Sequence, residues 1–141
     1  MIGTSMTEAD VSALMLWPHT NICTDGSLLA RHPRGAGSFP KVLGRYVRDQ
    51  GRLSLELAIH KMTGLPAEQL GLAQRGKVAE GYIADLVLFD PATIIDRATT
   101  QTPHRLSEGV SDVWVAGERV LQRGVSNDAF PGRVLRRAGA N

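Results

Sequence analysis

Asp25 is the residue of this chain whose setting best suits proton-transfer chemistry. It ends the short apolar and β-branched run Thr20-Asn21-Ile22-Cys23-Thr24 and is followed at once by Gly26. Such a run reads as a buried strand that stops in a tight turn. Side chains alternate along a strand, so Cys23 and Asp25 share one face while Ile22 and Thr24 share the other. A carboxylate at the C-terminal tip of a strand is where a (β/α)8 barrel keeps its catalytic groups. The competing reading is an Asx turn opened by Asp25, with Gly26 supplying a positive φ.

The residues after Asp25 add polar chemistry. Arg31, His32 and Arg34 fall within residues 26–39, where Gly26, Pro33, Gly35 and Gly37 predict a loop. A loop that follows a strand tip is a usual place for substrate contacts. The histidines are His19, His32, His60 and His104, and no two of them have a metal-ligand spacing such as i, i+4 on one helix. His19 and His32 flank the Asp25 region, His104 follows Pro103 in a loop, and His60 reads as a partly exposed helix residue. Cys23 is the only cysteine, which excludes an internal disulfide and a C-x-x-C metal site. It is expected to be a small buried hydrophobe.

Several elements must position these groups. Ser5 or Thr7 can cap a first helix, with Val11, Leu14 and Met15 on its inner face and Pro18 as its stop. After the strand and loop, residues 41–50 suit a helix with Val42 and Tyr46 inward, joined by Leu43 and Val47. Ser54 is the expected cap of a further helix in which Leu55, Ala58, Ile59 and Met62 repeat at helical spacing and Gly64 closes the end. Residues 66–70 suit one more helical turn opened by Pro66. The character changes at Gly76. Residues 77–79 read as a short extended piece, Glu80-Gly81 as a turn, and residues 84–89 as a strand stopped by Asp90-Pro91. Residues 113–115 and 120–121 read as a hairpin turning at Ala116-Gly117. Residues 99–109 between them are irregular, and an arginine-bearing tail follows Gly132.

Composition bounds the class. With 141 residues, 43% hydrophobic and 21% charged, the chain has the make-up of a globular protein of one domain or parts of two. The net charge of +2 does not call for a nucleic-acid or membrane partner. Arg133, Arg136 and Arg137 form a basic tail, but no aromatic interleaves with them to stack bases. No apolar run approaches the ~18 residues of a membrane span, and no signal-peptide pattern opens the chain, so a cytoplasmic location is expected.

The sequence resembles the C-terminal part of N-acyl-D-amino-acid deacylases (D-aminoacylases) of the metal-dependent amidohydrolase superfamily. The likeness is carried by Trp17-Pro18-His19-Thr20-Asn21-Ile22-Cys23-Thr24-Asp25-Gly26, His32-Pro33-Arg34 and Phe39-Pro40-Lys41-Val42-Leu43-Gly44-Arg45-Tyr46. It continues through Lys61-Met62-Thr63-Gly64-Leu65-Pro66-Ala67, Gly81-Tyr82-Ile83-Ala84-Asp85-Leu86-Val87 and Pro131-Gly132-Arg133. The Gly-x-x-Ala-Asp-Leu-Val block is common to amidohydrolases, whereas the Asp-Gly, His-Pro-Arg and Phe-Pro series is more specific to deacylases.

The resemblance implies an α/β fold: the last strand and following helices of a (β/α)8 barrel over residues 1–75, then short antiparallel strands of a composite β-sandwich over residues 76–141. It implies that Asp25 is the general base on a metal-bound water and then the acid to the leaving nitrogen. A carboxylate beside zinc-bound water can take and return that proton. It implies that Arg34 grips the substrate carboxylate, for which a guanidinium fork is suited. The family's His-x-His pair, bridging ligand and later barrel histidines would lie before Met1. Zinc is thus expected in the complete enzyme and not on this chain alone, which is expected to be inactive by itself. The implied substrate is an N-acylated D-amino acid. Exposed sheet edges would favour a homo-oligomer or a complementing N-terminal chain. Two other readings stand beside this one: a cyclic-amidase or dihydroorotase-like hydrolase, against which His-Pro-Arg argues, and a non-catalytic, self-associating scaffold derived from an amidohydrolase.

Overall fold

A computed structural model describes residues 5–27 and 31–136; Arg137 of the basic tail lies outside them. The chain first forms a run of helices and then a small sheet. Helix α1 (Glu8–Leu16) is capped by Thr7, whose hydroxyl and backbone N–H exchange hydrogen bonds with Asp10 in a capping box. Met15 is buried and Val11 half-buried, but Leu14, expected inward, is exposed. The face is instead set by Glu8, which accepts from Tyr46 and Arg45, each at 3.1 Å. Ser12 and Met15 follow Glu8 at i+4 and i+7 and therefore turn inward with it.

The expected loop over residues 26–39 is in part a helix. Helix α2 (Arg34–Lys41) forms despite its glycines and Pro40 because close tertiary approach outweighs propensity. A Cβ on Gly26 would lie 2.8 Å from the Cα of Gly35, and one on Gly37 would lie 3.1 Å from the Cβ of Asp96. Pro40 has no N–H to offer the carbonyl of Ala36, and the Ser107 hydroxyl donates to that oxygen at 3.2 Å instead. The chain continues directly into a π-helix, Val42–Asp49, which buries Val42, Leu43 and Tyr46 as their spacing predicted.

Ser54 caps helix α3 (Leu55–Met62) through the N–H of Leu57 at 3.2 Å. Gly64 does not end that helix in the left-handed region. It opens helix α4 (Gly64–Leu70), and Gly71, at φ 67°, makes the left-handed stop. Among the described residues no strand precedes Leu86: residues 20–27 have no regular structure, and residues 77–79 are not a strand.

The sheet is an antiparallel meander of four strands, β1 (Leu86–Phe89), β2 (Val110–Val115), β3 (Glu118–Gln122) and β4 (Val125–Ser126), paired in that order. The predicted turn has Ala116 at φ 51° and Gly117 at φ 86°, the two positive values of a type I′ hairpin. The turn into β4, which the sequence reading missed, repeats this with Arg123 at 50° and Gly124 at 76°. The core gathers Met15, Val42, Leu43, Tyr46, Leu53 and Ala58 around Ile94, and Phe89 and Val110 of the sheet pack against it.

Candidate functional site

Asp25 lies in a segment without a strand partner, so the buried strand expected there does not form among the described residues. A strand needs a neighbour to take its backbone bonds. Here Ile22 N–H goes to the carbonyl of Lys61 at 2.9 Å instead. Cys23 is exposed, not buried as expected. Asp25 itself is in the left-handed region at φ 46°, while Gly26 is not among the residues with positive φ. A non-glycine residue held there is a mark of local constraint.

Two contacts supply that constraint. Arg34 Nη2 lies 2.7 Å from Asp25 Oδ2, and Arg34 Nε donates to the Asp25 carbonyl at 3.1 Å. The two residues singled out in the sequence are thus brought together, with one guanidinium gripping both the side chain and the backbone of the aspartate. Gly26 and Gly35 then press the two segments together. Oδ1 of Asp25 and Nη1 of Arg34 have no hydrogen-bond partner among the described residues. The pair is well exposed, with 48% of the Arg34 and 72% of the Asp25 side chain accessible, so its ionic attraction alone adds little stability. It leaves a proton acceptor and a planar anion-binding edge side by side.

Beside this pair is an open cleft of about 380 Å³ lined by Thr24, Gly26, Ser27, His32, Ala36 and His104. His32 Nδ1 accepts the N–H of Arg34 at 3.1 Å, which fixes the ring at the start of α2. His32 and His104 therefore share one wall system although 72 positions separate them in the chain. His19 is turned elsewhere: its ring meets Trp17 edge-on at 5.5 Å. His60 is an exposed residue of α3. The described residues do not fit a metal centre, since among them no three His, Cys, Asp or Glu side chains are gathered.

Lys61 was missed as a site-related residue. It is 1% exposed, and burial pushes its ammonium below the ordinary lysine range. Its Nζ donates to the carbonyls of Trp17 at 2.6 Å and Thr20 at 2.8 Å. A lysine in the last turn of a helix reads as a solvated complement to the helix dipole, so spacing carries no signal of its burial.

Comparison with known proteins shows the family of the chain. Residues 20–121 match the model of the Amidohydrolase family. The chain is 47% identical over 132 residues to the N-acyl-D-aspartate deacylase of Alcaligenes xylosoxydans xylosoxydans, covering 92% of this chain and 26% of that protein. It is 45% identical over 137 residues to the D-aminoacylase of the same organism, covering 96% of this chain and 28% of that protein. A solved D-aminoacylase structure described for its binuclear metal centre superposes with a TM-score of 0.88 at 46% identity, over 94% of this chain and 28% of that one. The N-acyl-D-glutamate deacylase of Bordetella bronchiseptica, solved with zinc and a phosphonate mimic of the tetrahedral intermediate, matches 63% of this chain and 19% of that one at 49% identity and a TM-score of 0.62. The chain therefore spans roughly a quarter of the length of the curated relatives it matches. These relatives are hydrolases of carbon–nitrogen bonds other than peptide bonds, and with a family match that runs from Thr20 through Asp25 and Arg34 into β3, this chain belongs to the amidohydrolase family.

Proposed function

We propose that this chain supplies the proton-transfer group and the anion clamp of an enzyme that hydrolyses the amide bond of N-acyl-D-amino acids. The observation that carries the proposal is the meeting of Asp25 and Arg34 at 2.7 Å. In this reading water adds to the amide carbonyl while Asp25 takes its proton. The same carboxyl returns that proton to the leaving nitrogen, and the carbon–nitrogen bond breaks to give a carboxylic acid and a D-amino acid. Arg34 offers its Nη1, which has no partner among the described residues, to the substrate carboxylate.

The proposal extends to the whole protein. Residues 1–75 are the C-terminal end of a hydrolase barrel and residues 76–141 the C-terminal share of a small β-sandwich. Zinc in the complete, cytoplasmic enzyme is held by side chains other than those described. The chain alone is inactive and is completed by an N-terminal part in cis or as a second chain. Support comes from relatives that are deacylases and from solved relatives with a metal centre.

A second reading, a non-catalytic scaffold that self-associates, is favoured by the exposure of Val87 and Leu88 on β1, at 57% and 54%. Light scattering at high concentration that finds only monomer counts against it. The enzymatic reading is tested with Arg34→Lys in the completed enzyme. KM for an N-acetyl-D-amino acid rises about tenfold or more, while the matching carboxamide, which lacks the anion, is spared. Equal loss on both substrates contradicts the clamp.

A further inference from the structure

Residues 20–27 have no regular secondary structure, yet they carry Asp25 at a constrained φ of 46°. Backbone groups outside helix or sheet still need partners. Just before Asp25, over residues 17–22, several of them are met by two distant residues, Lys61 and Gln69. Lys61 Nζ donates to Trp17 O at 2.6 Å and Thr20 O at 2.8 Å, and the Lys61 carbonyl accepts from Ile22 N at 2.9 Å. Gln69 Nε2 donates to His19 O at 3.0 Å, and its Oε1 accepts from Asn21 Nδ2 at 2.6 Å. Trp17 O also accepts from Thr20 N at 3.2 Å, so both of its lone pairs are in use.

We propose that Lys61 and Gln69 form a clamp on residues 17–22 that sets the direction in which Asp25 is presented, so that both are positioning residues. Lys61 is nearly inaccessible and makes no ion pair with a carboxylate among the described residues. Burying an unpaired ammonium is costly unless its donors are used, and the carbonyls of Trp17 and Thr20 are what use them. Depression of the lysine's proton affinity by burial agrees with that cost. Downstream of Asp25 the chain is held by Arg34 and by the close approach of Gly26 to Gly35. The aspartate is therefore fixed from both sides: by the α3–α4 clamp before it and by the start of α2 after it. The consequence for turnover rests on the function proposed above; the consequence for conformation does not.

Cys23 makes the test direct, because it is the sole cysteine, is exposed and lies two residues before Asp25. A nitroxide spin label there reports the order of the segment in the full 141-residue chain. In Lys61→Met and in Gln69→Ala the mobile fraction of the spectrum rises. The Ile22 amide exchanges roughly tenfold faster in Lys61→Met, while the amides of Leu57 and Ala58 in α3 keep their protection. Lys77→Met, which changes an exposed cation elsewhere, leaves all three readouts unchanged. Gln69 is itself exposed, so Gln69→Ala decides the matter alone if Lys61→Met does not fold. An unchanged Cys23 spectrum in Gln69→Ala overturns the clamp. So does a loosening shared equally by the α3 amides, which marks general destabilisation.

Discussion

The β2–β4 meander and the Asp25 segment solve the same problem, the satisfaction of an exposed backbone, by opposite means. The meander does so locally: each strand pairs with its neighbour in sequence, and each turn carries two positive φ values. The Asp25 segment does so through side chains outside it, Arg34 nearby and Lys61 and Gln69 at long range. Locally specified structure survives with little packing, and the sheet accordingly has half-buried strands and exposed edges. A segment held by distant side chains is only as well placed as the helices that carry them. The shape of the candidate site therefore depends on the helical core more than on its own sequence.

The largest effect expected from breaking this arrangement is at Ile94, which is 1% exposed and sits among the core residues of the helices. Ile94→Ala removes buried methyl groups where the backbone is so close that a Cβ on Gly44 would lie 2.6 Å from the Ile94 carbonyl oxygen, so relaxation is restricted. A loss of about 3 kcal/mol is expected in urea unfolding. A loss below about 1 kcal/mol would show that Ile94 does not join the helices to the sheet. Gly117→Ala is the local counterpart. A Cβ there meets nothing within 4 Å, so the cost is that of a φ of 86°, about 1 kcal/mol. The order of a label at Cys23 should not change, and if it does, the two regions are not independent.

The smallest effect is a slope with pH. The Tyr46 hydroxyl is held above its ordinary value of 10.0, first by burial and then by its hydrogen bond to Glu8, with the nearby charges of Glu8 and Asp96 adding to the rise and Arg45 opposing it. The unfolded chain therefore loses this proton first, and the native state binds more protons just above pH 10. Stability falls with rising pH from there through the folded value. Lys61 acts in the other sense: its folded value lies below 10.5, so stability rises with pH between that value and 10.5. Tyr46→Phe should remove the downward slope and leave the upward one, as read by thermal unfolding between pH 9 and about 11. A parallel fall in the variant would place the alkaline loss elsewhere.

Legibility in the sequence followed the same division. The Ala116-Gly117 turn, the Ser54 cap and the inward Val42 and Tyr46 were readable because turn chemistry, capping and periodicity are local signals. Helix α2 was not, since Gly35, Gly37 and Pro40 argue for a loop and only contacts with Gly26, Asp96 and Ser107 outweigh them. Leu14 was misplaced because α1 is apolar on more than one side, and Glu8 decides which side turns inward. Asp25 and Arg34 could be named from motif resemblance, but their contact could not, because it goes with the close approach of Gly26 to Gly35, which no local pattern signals. Lys61 was invisible as a buried group, because a lysine at a helix end ordinarily faces water.

The measurement closest to the central claim is the turnover of an N-acetyl-D-amino acid by the enzyme completed with an N-terminal deacylase part, comparing the parent with Asp25→Asn. Asparagine keeps the size and shape of the side chain but cannot take the proton. The account predicts that kcat falls by about 10²–10⁴-fold while the metal content of the complete enzyme is kept. Turnover within about twofold of the parent contradicts it, for the proton would then be carried by some other group and the meeting of Asp25 with Arg34 would be structural only.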